Sequence, residues 1–435
     1  MSAICLKLIC RPAAESSGAT AVAPRNTLLR ASLLAGVSLG LVTAPSIAIS
    51  QELGLNGFVD ARLVQPSSQQ SWMTGGVGKL RYGSAGDPQP GLHFDEIIAD
   101  GRAVLAPGLA VLATLRYEPN QRTALDVLEA YARYQPIATT GLLWSSRLGA
   151  FYPPISLENE GVGWSSPWTL TPSAINTWVG EELRTLGLES TVEWRTETGA
   201  LGITIAVYGW NDQAGTLLAD RGWAMGDRPT GLFDKLRLPD ALAAQFGATS
   251  PLYNGSFKEI DDRPGWYAGL SWRQNGLGRV NFLHYDNRGD PAAVRDNIEA
   301  WRTTFDSVGV EADLDEFVVL SQVMAGETEI AFTPDSRSLT KFQSAYLLVG
   351  RYFGDWSAAA RLDYFATQND NPPDSLDLSE HGHAATVALA WRPQRWLRLT
   401  GEVLRLDSYT AQRALVGLDR HAVETQVQLS VRVSF

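Results

Sequence analysis

The chain has 435 residues and a formal charge of −11, with 31 Arg against only 5 Lys, 14 Trp, 13 Tyr and 40 Gly. Both cysteines, Cys5 and Cys10, fall within the first ten residues, which excludes a disulfide framework or a cysteine-ligated metal core for the rest. Past residue 50 the longest uncharged stretch, 161–180, is broken by Pro167 and Pro172, so no helical membrane span is predicted.

Residues 1–50 read as an N-terminal extension and signal peptide. Arg25 and Arg30 precede an apolar run from Ala31 to Val42, and the small residues Ala48 and Ser50 stand just before Gln51. Cleavage near Ser50 leaves residues 51–435, a cysteine-free product of net charge −14. An acidic exported chain argues against a nucleic-acid partner.

From residue 51 onward one pattern recurs: segments of about ten residues that alternate apolar and polar, with Tyr or Trp near their ends. In chain order they are 58–64, 96–105, 109–117, 126–134, 145–152, 188–195, 201–210, 266–273, 279–285, 300–312, 317–327, 342–353, 356–367, 384–392, 396–406 and 423–435. Tyr117, Tyr134, Tyr152, Trp210, Trp272, Tyr285, Tyr352, Tyr364 and Trp391 sit near their ends, where amphipathic rings favour the headgroup zone of a bilayer. The last segment alternates most strictly, with Val423, Val427, Leu429, Val431, Val433 and Phe435 on one parity and Glu424, Gln426, Gln428, Ser430 and Arg432 on the other. A terminal Phe is what transmembrane barrels present to their assembly machinery, so Phe435 is the predicted assembly signal and that machinery a predicted partner.

Connections alternate between short and long. The short set includes Ala106-Pro107-Gly108, Gly354-Asp355 and Pro393-Gln394-Arg395; the long set includes 65–95, 153–187, 211–265, 286–299, 368–383 and 407–422. The pattern predicts an all-β fold, a 16-stranded antiparallel transmembrane barrel with short periplasmic turns, long extracellular loops and outer-membrane lipid around it.

One parity must then face a lumen too wide for wall side chains alone to fill, so water is expected there. The predicted pore lining is Arg102, Arg116, Glu129, Arg133, Arg147, Glu193, Arg195, Arg361, Asp363 and Arg398, with Asp60, Arg62, Arg302, Asp306, Glu402 and Glu424 at the same parity. Arg102, Arg116, Arg133 and Arg147 fall on four successive strands, a ladder of guanidinium groups suited to anions.

The loop after the fifth strand is long enough to fold into the lumen. Thr171-Pro172 reads as a helix start running to Glu182. Residues 153–187 are the predicted constriction loop, with Glu158, Glu160, Glu181 and Glu182 facing wall arginines and Trp164, Trp168 and Trp178 packing it.

This order of signal peptide, sixteen strands, long third loop and terminal Phe is similar to Gram-negative outer-membrane porins. The stretch Leu128-Glu129-Ala130-Tyr131-Ala132-Arg133-Tyr134 through Gly149-Ala150-Phe151 resembles the phosphate-selective type. The resemblance implies passive diffusion of small hydrophilic solutes or ions, a third loop that narrows the pore, and room for a homotrimer. It carries no binding residue across, because lysines lining the lumen are the phosphate-selective feature and only Lys79, Lys235, Lys258 and Lys341 remain after residue 50. No cofactor, metal site or enzyme is predicted: His381-Gly382-His383 reads as a solvated loop, and Gly75-Gly76-Val77-Gly78-Lys79 lacks the spacing of a phosphate-binding loop. Two other readings are a surface receptor or adhesin using the long loop with Trp223, Phe233, Phe246, Tyr253 and Phe257, and a barrel hydrolase.

Overall fold

The computed structural model describes residues 52–435 apart from 139, 246, 248–251, 334–335 and 371–376. The extension and signal peptide lie outside the described residues, as does Phe246. Sixteen strands close into one antiparallel barrel. The first eight are Glu52–Gln65, Gly91–Ala106, Leu109–Tyr117, Leu125–Tyr134, Leu142–Phe151, Thr185–Arg195, Gly199–Gly209 and Gly265–Gln274. The second eight are Gly278–Asp286, Arg302–Leu314, Phe317–Thr333, Ser336–Phe353, Trp356–Asp370, Glu380–Gln394, Leu397–Thr410 and His421–Ser434. Each corresponds to one predicted segment. Closure comes from the first strand, which pairs with the second on one side and the sixteenth on the other, Phe58 opposite Ser434 and Gln65 opposite Val427.

The period-2 pattern dictates which face is which. In the seventh strand Leu201, Ile203, Ile205 and Val207 are about half exposed, whereas Ala206 and Tyr208 are buried. In the fourteenth, Val387, Leu389 and Trp391 look outward while Ala384, Thr386, Ala388 and Ala390 are buried. Outward apolar side chains meet lipid, and every ladder hydrogen bond is made within the closed sheet. Short turns join the strands at one end; at Pro107-Gly108 the turn requires φ +79°, which glycine adopts without strain.

Four expectations need correction. Tyr152 and Tyr285 are not headgroup anchors: both are buried in the bore, Tyr285 because it shares the inward parity of Leu283, and Tyr152 because it lies one residue past the strand end at Phe151, where the chain enters the third loop. Arg302 and Asp306 face outward instead of inward, and Asp306 takes His284 as its partner at 2.8 Å. His381 and His383 lie on the outer face of the fourteenth strand and not in a loop, with His381 stacked on Tyr409. The predicted long gap between the eleventh and twelfth strands is a tight hairpin, since alternation continues to Thr333 and resumes at Ser336, with Thr328 and Ile330 still buried inward.

Candidate functional site: the barrel lumen

The widest departure from expectation is inside the wall. The loops at 66–90, 152–184 and 210–264 fold down into the bore and bring a hydrophobic core with them. Trp72, Leu80, Ile175, Trp178, Val179, Leu217, Trp223 and Met225 of these loops pack against Tyr285, Phe305, Met324, Phe342, Phe365 and Leu404 of the wall. All fourteen are 3% exposed or less, so at this height apolar side chains take the place of water. Trp178 sits at the centre, its ring 5.9 Å from Trp223, 5.5 Å from Phe305 and 5.3 Å from Phe342. These separations and tilts suit edge-to-face aromatic packing.

The third loop carries the helix. It spans Ala174–Glu182, with Ser173 as N-cap accepting from the Asn176 N–H. The start is thus two residues later than Thr171-Pro172 predicts, because the two groups a cap would use are engaged by the wall: the Thr171 hydroxyl accepts from the Gln428 amide and its carbonyl from Arg361. The end at Glu182 is as predicted.

The loop glutamates divide by partner. Glu158 meets Arg361 of the wall at 2.5 Å and also accepts from the Ser173 N–H and the Asn176 amide. Glu160 meets Arg279 of the wall at 2.6 Å. Glu181 pairs instead with Arg221 of the fourth loop at 2.6 Å. Among the described residues Glu182 pairs with no arginine; it accepts from the Trp178 indole, the Gly215 and Leu217 N–H groups and the Asn254 amide. Trp164 stacks on Tyr152 at 4.0 Å, and Trp168 packs on Tyr352 at 4.5 Å.

Burial pushes the Glu182 carboxyl up to about 7, against those donors. A carboxyl raised above its unfolded value holds its proton more tightly when folded, so stability falls as pH rises between about 4.5 and 7 and is level above that window. Relative to Glu182→Gln, the wild-type loop packing should therefore lose about 2–3 kcal/mol across that range. Thermal unfolding followed by near-UV circular dichroism reads this, and a pH-independent difference between the two proteins would contradict it.

The predicted lining residues are dispersed in height and in role. Arg116 is sealed in, with Glu96 at 2.7 Å and Glu118 at 2.8 Å. Arg147 pairs with Glu189 at 2.6 Å, while Glu129 accepts from the Tyr152 N–H and not from Arg133. Arg102 and Arg133 are exposed at the periplasmic rim, where Glu193 and Arg195 also form an ion pair. Arg361 and Asp363 pair at 2.8 Å in full burial. Arg398 does not bind Glu402; it donates to the Ser166 and Pro167 carbonyls of the third loop. Of the predicted ladder, Arg133 and Arg147 stand directly opposite each other on the fourth and fifth strands, whereas Arg116 stands opposite Asp126, well above them, so the four are not one rung of charge.

Sequence reasoning missed what the wall carboxylates do. Glu402 accepts from the Leu170 and Thr171 N–H groups, Glu424 from Lys79 N–H, Glu380 from Trp223 N–H and Asp126 from Phe233 N–H. Inward acids serve as sockets for loop backbone, which would otherwise enter the bore with donors unsatisfied. A second anchor is a chain of buried ions. Arg62 joins Asp95 at 3.0 Å, Arg81 joins Asp95, Glu118 and Asp227, and Arg228 joins Asp234 at 3.2 Å, tying the first and fourth loops to the wall. The one available signal was the glycine cluster Gly75-Gly76-Gly78, where a Cβ at Gly76 would come within 2.1 Å of the Gln70 carbonyl. That is close packing of backbone and not phosphate binding.

Cavities remain at both ends. A periplasmic one of about 450 Å³ is bordered by Arg147, Glu160, Trp164, Glu193, Arg273 and Arg279. A neighbouring one of about 380 Å³ is bordered by Arg392, Arg395, Arg398 and Arg432 with Glu160 as its one acid. An extracellular one of about 620 Å³ lies beside the fourth loop.

No family model matches the sequence, and no curated protein matches it either. Solved structures do. The outer membrane channel DcaP of Acinetobacter baumannii superimposes with a TM-score of 0.54 at 12% identity, over 91% of this chain and 100% of that one. An anion-selective porin from Comamonas acidovorans gives 0.50 at 12% identity, over 89% and 100%, and OmpT of Vibrio cholerae gives 0.50 at 9%, over 89% and 100%. At these identities the likeness is one of fold: a sixteen-stranded barrel of outer-membrane porin architecture.

Proposed function

We propose that the protein is an outer-membrane channel for the passive diffusion of small hydrophilic solutes or ions, with its constriction at the third loop and a lean toward anions. The observation that carries this reading is the position of that loop. It crosses the bore between cavities at the two ends, held by Glu158 on Arg361 and by Glu402 on its backbone. The lean toward anions rests on the periplasmic mouth, where four guanidinium groups surround one carboxylate, Glu160, that Arg279 already claims. Charges at a narrow section outweigh the net charge of the chain, because distant carboxylates are screened beyond about 8 Å in physiological salt. In this reading the lining residues predicted at the mouth, Arg102, Arg133 and Arg195, add to the same field. The receptor reading is weakened, since Trp223 of the fourth loop is fully buried in the bore, although Phe233 and Tyr253 remain exposed.

Planar-bilayer recording tests the proposal. Replacing 158–182 with a short Gly/Ser linker should raise unit conductance at least about twofold, because the loop and its wall contacts fill most of the section at that height. In a salt gradient the wild type should prefer anions, and Arg392→Ala/Arg395→Ala should weaken that preference. Unchanged conductance in a folded loop variant, or a cation preference in the wild type, would refute the constriction or the lean respectively.

A further inference from the structure

The extracellular cavity of about 620 Å³ has a volume in the range of small-ligand sites. Its walls are mainly apolar: Leu238 and Leu252 of the fourth loop face Ile298, Trp301, Ile330 and Phe332. Its charged groups are all of one sign. Asp220 and Glu299 border it, and among the described residues no lysine, arginine or histidine does.

Asp220 is unusual among the acids of the interior. Glu158, Glu181, Asp227 and Asp363 each meet an arginine, and Glu182 accepts four donors. The Asp220 carboxylate has no ion-pair or hydrogen-bond partner among the described residues; only its backbone carbonyl is engaged, by the Gln412 amide. Burial, with Glu299 adding to it, pushes the Asp220 carboxyl up to about 7. Two further lining side chains, Thr216 Oγ1 and Asn254 Oδ1, are buried without a hydrogen-bond partner. The Asn254 amide donor is already spent on Glu182. The cavity thus offers acceptors and negative charge inside an apolar shell.

We propose that this cavity binds a small amphipathic ammonium ion, its charged head on Asp220 and its apolar body against Trp301, Ile330 and Phe332. A cation relieves an unpaired, partly buried carboxylate, and apolar walls reward a hydrocarbon body that an inorganic cation lacks. A hard divalent ion is the wrong complement, because it takes six or more oxygen ligands and only two carboxylates border the space.

Calorimetry on the full barrel in lipid nanodiscs, with empty nanodiscs subtracted, decides it. The probes are 2-phenylethylammonium and its neutral counterpart 2-phenylethanol at pH 8. The ammonium ion should bind the wild type at least about tenfold more tightly than the alcohol, the size expected of one charge-assisted contact in a shielded site. Asp220→Asn should abolish that preference and leave alcohol binding within about twofold, and Glu299→Gln should weaken the ammonium ion by about two- to threefold. Equal binding of the two probes to the wild type would overturn the proposal, and so would a tenfold preference that survives Asp220→Asn. Should Asp220→Asn fail to fold, the wild-type discrimination and the Glu299→Gln comparison decide.

Discussion

Replacing Arg361 by alanine is expected to destabilise the protein by about 3–5 kcal/mol and to raise its unit conductance, because it leaves buried carboxylates without their cation. Arg361 meets Glu158 at 2.5 Å and Asp363 at 2.8 Å, and none of the three side chains is more than 1% exposed. Its guanidinium also donates to the Thr171 carbonyl at 2.8 Å and the Thr169 hydroxyl at 3.2 Å, so one side chain fastens the third loop at both ends of its turn. The planar fork is what permits these partners, and the Thr386 hydroxyl at 3.3 Å, at once. Arg361→Lys keeps the charge and loses the fork, and should fall between wild type and alanine. Unfolding of the near-UV signal and single-channel recording read the two effects; an alanine variant with unchanged melting temperature and conductance would remove Arg361 from the anchor.

Deleting Phe435 should have a larger consequence still, loss of the assembled barrel. The residue is 56% exposed, so its worth is not core burial. Its N–H donates to the Gly57 carbonyl at 3.0 Å and its carbonyl accepts from the Gly57 N–H at 3.1 Å, the terminal pair of the seam between the first and sixteenth strands. Its ring covers Gly57 so closely that a Cβ there would meet Cζ at 2.5 Å. Without residue 435 the seam ends on Ser434 and the chain end offers no aromatic to the assembly machinery. Heat-modifiable protein should disappear from the outer membrane, with the chain degraded in the periplasm, and Phe435→Tyr should restore it. Normal barrel after the deletion would show that the signal lies elsewhere.

The wall was legible because its rule is local. Alternation needs no knowledge of partners, so Val423 to Phe435 reads as a lipid-facing strand from sequence alone, and each of the sixteen segments has its strand. Boundaries failed where the ladder outlasts the bilayer, as at Thr333 and Ser336. The lumen was less legible, because inward parity says only that a side chain leaves the lipid. It does not say whether the side chain meets water, a cation or another loop's backbone. Glu402 and Arg398 stand four residues apart at one parity, yet instead of pairing they hold the third loop separately, Glu402 at the Leu170 and Thr171 N–H groups and Arg398 at the Ser166 and Pro167 carbonyls. Glu158 with Arg361 was predicted as a type of contact and not as a pair, since a separation of 203 residues leaves no local trace.

The same separations bear on the order in which the molecule can be made. The chain supplies its filling first, in loops at 66–90, 152–184 and 210–264, and its fasteners last, at Arg361, Glu380, Glu402 and Glu424. Backbone contacts such as Lys79 to Glu424 close over 345 residues, so they cannot form until the final strand has joined. Contacts of that span are paid for in loop-closure entropy and form slowly. Until then Trp72, Trp178 and Trp223 have no wall to cover them, and a chain arrested before its last third is a sticky, aggregation-prone species. Sealing the cylinder and setting its contents are consequently a single late event, which makes the stretch from Arg361 to Phe435 a checkpoint on everything translated before it.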